Sequence, residues 1–154
     1  MATLKEQLRS DLTTAMKSRD TVRVRTLRMV MSAVSEAEKA GTESRELDDQ
    51  QVLDVVIAQA KRRREAEAEF TRAGRDELAT TEREEAEVLA DYLPQQLTAD
   101  EIATLVSEAI AESGAAELGM RGMGTVMGVL TPRTKGRADG GAVAAEVKRQ
   151  LGSS

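Results

Sequence analysis

A chain of 154 residues with 40% hydrophobic content, one Phe, one Tyr and no Trp must build its core from Leu, Val, Ile, Ala and Met, which suits helix-on-helix packing better than a β-sandwich. Lacking Cys and His, it has no disulfide, no Ser-His-Asp or Cys-His chemistry and no ordinary zinc site, and no Asp-x-Asp cluster or phosphate-binding Gly loop points to magnesium. The formal charge of −5 divides into 16 basic against 20 acidic residues up to Leu93 and 6 against 7 from Pro94 onward, so any nucleic-acid contact has to be local.

A Thr-x-x-Glu capping box at Thr3 and Glu6 predicts a first helix, with Leu4, Leu8, Leu12 and Ala15 or Met16 on its apolar face. Lys17 to Asp20 is a short break, and Asp20 is placed to cap a second helix running from Thr21 to Ala40. Val24, Leu27, Met31 and Val34 line its inner side, Arg23 and Arg25 are expected to face water, and Gly41 is the expected stop. Asp48 and Gln51 open a third helix whose inner stripe is Val52, Val55, Val56, Ala60, Ala66 and Phe70. Arg63 falls on that stripe, where a guanidinium needs a carboxylate or a backbone carbonyl; Glu85, on a fourth helix from Asp76 to Tyr92, is a fair partner for a semi-buried ion pair. Leu78, Val88, Leu89 and Tyr92 are the expected core contacts of that fourth helix.

The expected organisation is all-α: a four-helix N-terminal domain over 1–93, a linker over 94–97, and a small three-helix tail domain over 98–154. Thr98 and Glu101 cap the fifth helix, which carries Ile102, Leu105, Val106, Ala109 and Ile110 and stops at Gly114. The segment Gly119 to Gly141 is dense in Gly and Met and holds four cations against one acid. Met123, Val126, Met127 and Leu130 have helical spacing, and Pro132 is expected to end that helix. Arg133, Lys135 and Arg137 then project from a loop containing Gly136, a pattern that suits an anionic partner. Asp139 opens a last helix with Val143, Val147 and Leu151 inward. No stretch reaches the roughly 20 apolar residues needed to cross a bilayer, and no signal pattern is recognised at the N-terminus, so a soluble cytoplasmic protein is expected.

The pattern Met123, Gly124, Val126, Met127, Gly128, Leu130, Pro132, Lys135, Gly136, Arg137, Ala138, Asp139, Gly140 resembles the GatB/YqeY family. Leu27-Arg28-Met29, Lys61-x-Arg63 leading to Phe70, and Tyr92-Leu93-Pro94-x-Gln96-Leu97 agree with it in order along nearly the whole chain. One departure is Ala66, where the family often places Ser. The resemblance implies a relative of the helical and tail region of the B subunit of glutamine-dependent aspartyl/glutamyl-tRNA amidotransferase, standing alone in the YqeY-like manner. That subunit's tail grips the outer corner of tRNA. The family label of carbon–nitrogen ligase with glutamine as amido-N donor attaches through this relationship, while the sequence carries none of the machinery and is not expected to be an enzyme alone.

The leading expectation is therefore a tRNA-binding accessory module. Lys135, Arg137, Arg133 and Arg121 supply cations, and Gly136 and Gly140 let backbone approach the RNA. With no aromatic placed to stack on a base, recognition by shape and backbone is expected. The alternative is a protein-interaction adaptor docking on an amidotransferase or an aminoacyl-tRNA synthetase. No catalytic residue, metal ligand, cofactor or membrane partner is expected.

Overall fold

The computed structural model describes residues 2–152. Among them are seven α-helices and no strand: α1 (Leu4–Ser18), α2 (Thr21–Lys39), α3 (Asp49–Arg72), α4 (Asp76–Ala90), α5 (Ala99–Ser113), α6 (Met123–Thr134) and α7 (Gly140–Gly152). A run of 3-10 turns over Ala115–Gly122 leads into α6. None of the described helices is long and apolar enough to cross a membrane. The chain falls into two compact units, Met1–Leu93 and Pro94–Ser154.

Local chemistry sets the helix starts. Thr3 with Glu6, Asp48 with Gln51, and Thr98 with Glu101 each form a reciprocal capping box, which satisfies two otherwise orphaned amides at the start of α1, α3 and α5. Asp20 accepts from the Arg23 amide and starts α2. Between α1 and α2, Arg19 takes the left-handed conformation (φ 59°), a position usually left to glycine. Gly114, with φ 67°, closes α5 in the same way at no steric cost.

In the first unit α2 touches the other three helices, and α3 lies along α4. Leu8, Leu27, Val30, Val34, Val52, Val56, Ala60, Val88 and Leu89 form the core. Three expected core positions differ. Leu78 is 38% exposed and Ala79 points inward in its place, while Val24 and Met31 are only half-buried, because the buried face of α2 is centred on Val30. Arg25 is exposed, as expected, and its Nε also donates to the buried Glu85 carboxylate at 3.0 Å.

In the second unit α5, α6 and α7 pack on one another, and the 3-10 segment touches all three. Val106, Ala109, Ala115, Val126, Leu130, Val143, Val147 and Leu151 make its core, with Met123 and Met127 packed partly buried against it. Pro132 does not stop α6, contrary to expectation; the helix runs on to Thr134. A proline one turn from a helix end removes a single amide bond. Thr131 and Thr134 reinforce that turn by donating to the carbonyls of Met127 (2.8 Å) and Leu130 (3.1 Å).

Candidate nucleic-acid interface

The cations of the second unit have separate fates. Arg133 sits on the last turn of α6 and is gripped at both nitrogens by Glu112 of α5, at 2.8 and 3.3 Å. Its positive charge is therefore met by a carboxylate, which also strengthens its hold on its proton. Arg137 is half-buried, and its Nε donates to the carbonyl of Gln95 at 3.3 Å. It lines a cleft of about 350 Å³ with Asp100 and Glu101. Glu101 lies below the usual carboxylate range chiefly because the Thr98 amide and hydroxyl bond to it, with the Arg137 charge a smaller cause.

Gly136 works through its backbone. It adopts φ 73°, and its carbonyl accepts from Gln96 Nε2 at 2.7 Å. The Leu97 amide donates to the Arg137 carbonyl at 2.8 Å. Residues 95–97, read from the sequence as linker, are thus bonded to the turn at 136–137. Lys135 is exposed where the chain leaves α6. Arg121, at the end of the 3-10 segment, is exposed and makes no ion pair with any described residue. Gly140 is exposed in the first turn of α7, and the Asp139 carboxylate lies close by: a Cβ on Gly141 would stand 3.1 Å from Asp139 Oδ2. An anion meeting that helix start meets a carboxylate first.

Sequence reasoning singled out Arg121, the loop cations and Gly140, and did not consider the exposed face of the helix between them. Gly124, Thr125, Gly128, Thr131 and Pro132 are all exposed on α6. Gly124 and Gly128 lie one turn apart on the same face, and the space where a Cβ would stand holds no atom within 4 Å at either. The face is thus bare backbone and threonine hydroxyl, with Arg121 before its start and Lys135 just past its end. The i, i+4 glycine spacing was the available signal.

The first unit holds the other pair singled out from the sequence. Arg63 Nε lies 3.6 Å from Glu85 Oε2, too far for a hydrogen bond, and both atoms are buried without one. Arg63 is also held by Gln59 at 2.9 Å and Glu82 at 3.4 Å. Glu85 is shared between Arg25 and Arg63, so this is an internal charge network.

An all-helical chain with this Met- and Gly-rich segment is matched by the family model described as Yqey-like protein over residues 5–151, and the chain belongs to that family. No individual curated protein matched it.

Proposed function

We propose that the chain is a tRNA-binding accessory module, meeting the RNA sugar-phosphate backbone with the exposed face of α6 and catalysing nothing alone. The open face at Gly124 and Gly128 carries the reading, because a convex phosphate backbone can approach a helix there without meeting side chains. Arg121 and Lys135 supply the charge; Arg133 contributes only by leaving Glu112, and Arg137 by organising the turn. Resemblance to the amidotransferase B-subunit tail points the same way, and a cytoplasmic location fits it. The two hydrophobic cores share no residue, which supports reading 1–93 and 98–154 as a four-helix domain and a three-helix tail domain.

A gel shift of the pure protein against total tRNA at 50 and 200 mM salt tests this. The double variant Arg121→Glu/Lys135→Glu should lose about tenfold in affinity at low salt and flatten the salt dependence. Gly128→Leu should weaken binding without unfolding the chain. Unchanged affinity in both variants would overturn the assignment.

One observation favours the adaptor reading instead. Leu118 and Met120 are 45% and 50% exposed on either side of Gly119, an apolar pair that suits a protein partner such as an amidotransferase or a synthetase. A pull-down with and without nuclease separates the readings, since an RNA-borne association disappears with the RNA.

A further inference from the structure

One face of α2, at positions 21, 24, 25, 28, 29, 32, 33 and 36, lines a groove of about 900 Å³ in the first unit. Those positions follow helical spacing over about 22 Å, or roughly four turns. Such a shape matches a second helix laid alongside better than it matches a compact small molecule. The floor is apolar: Val24, Met29 and Ala33 from α2, with Met16 (43% exposed) across from them. Methionines adapt their shape to whatever packs on them.

The charge of the groove runs against that of the unit around it. Four of its lining residues are arginines and one is an acid, Glu36, on a unit with more acids than bases. Among the described residues Arg28 reaches only the Met16 sulfur, at 3.5 Å, and Arg19 has no carboxylate. Arg25 and Arg63 are held from behind by Glu85, which fixes them at the groove wall. Arg19 occupies its left-handed position in spite of the steric cost that glycine would avoid. No aromatic side chain lines the groove to stack a base, and an apolar floor offers nothing to a phosphate backbone.

We propose that this groove receives an acidic amphipathic helix of a partner protein, its apolar stripe on Met16, Val24 and Met29 and its carboxylates opposite Arg19 and Arg28. The proposal is independent of the tRNA reading, which concerns α6 in the other unit.

Fluorescence anisotropy of the full chain tests it with two labelled 18-residue helical peptides. Both carry Leu at i, i+3, i+4 and i+7 repeats, one with Glu and the other with Lys on the flanks. The Glu peptide should bind at least tenfold more tightly than the Lys peptide, and Arg28→Glu should abolish that preference. Arg19→Gly should raise Tm by relieving the left-handed arginine and still weaken the Glu peptide several-fold. Binding of neither peptide, equal binding of both, or a preference that survives Arg28→Glu overturns the proposal. So does a dimer in light scattering that Arg28→Glu dissociates, which would make the occupant a second copy. Direct competition by tRNA that is lost in the same variant would make it RNA.

Discussion

The first unit buries Thr26, Gln59 and Glu85 among its aliphatic side chains and brings two arginines to that carboxylate; in the second, Thr134 is the buried polar side chain among the described residues, and its hydroxyl is satisfied within its own helix. Arg133 and Glu112 of the second unit stay at the surface. A charge inside a core is committed to the fold, because removing its partner leaves it desolvated and unpaired. A cation on a small, glycine-rich surface has no such commitment. The contrast places a buried, structural charge in the first unit and none among the described residues of the second.

The largest expected effect tests the first half of that contrast. Glu85→Ala leaves Arg63 with only Gln59 and the longer contact to Glu82, and Arg25 without its anchor, and should cost about 3 kcal/mol. Glu85→Gln keeps an acceptor and should cost less. Urea unfolding followed by circular dichroism at 222 nm checks both. A loss for Glu85→Ala no larger than that of an exposed Arg133→Ala would erase the distinction between the units.

Next in size is a test inside the second unit, where neighbouring glycines do different work. A Cβ on Gly122 would stand 2.8 Å from the Cβ of Ala115, which is fully buried, and 3.0 Å from its carbonyl oxygen. Gly122→Ala should therefore destabilise by about 2 kcal/mol through overpacking. Gly128→Ala fills open space in mid-helix and should stabilise by about 1 kcal/mol through helix propensity alone. Opposite signs in thermal melts would show that Gly122 is kept for packing and that the packing gives no reason for Gly128. Equal signs would remove the structural argument for an open face on α6.

What the sequence revealed of this arrangement follows the range of the forces involved. The three capping boxes were legible because a cap is decided within four residues. The inward stripe of α7, Val143, Val147 and Leu151, was legible from its period. Contacts across the chain were not. Nothing local announces that Glu112 grips Arg133 or that Arg137 turns back on Gln95, 21 and 42 residues away. Arg25 is exposed as its place on α2 suggested, but nothing local announces that it also bonds a buried carboxylate 60 residues on. The proline rule failed at Pro132 because a helix end tolerates what a helix middle does not. Gly119, with φ 55° and ψ −138°, breaks the 3-10 segment in a way that no periodicity could forecast.

A smaller effect probes how far commitment to the fold extends to the edge of the first unit. Tyr92 Oη donates to Asp11 Oδ2 at 2.6 Å. Burial first, and then that bond and the Asp11 charge, push the phenol well above its ordinary value. Below about pH 10 the phenol is protonated in both folded and unfolded chains, so its contribution to stability is fully present. As pH rises further the unfolded phenol ionises first, and stability falls until the folded phenol follows. With one Tyr and no Trp, absorbance at 295 nm follows this group alone. Its midpoint should lie above 10 in the native chain and return to about 10 in urea. Tyr92→Phe should cost about 1 kcal/mol at neutral pH and flatten the alkaline loss. Identical midpoints in the two solvents would mean that Asp11 and Tyr92 meet as loosely as Arg133 and Glu112 are expected to, and the boundary of the committed region would then lie deeper, at Glu85 and its arginines.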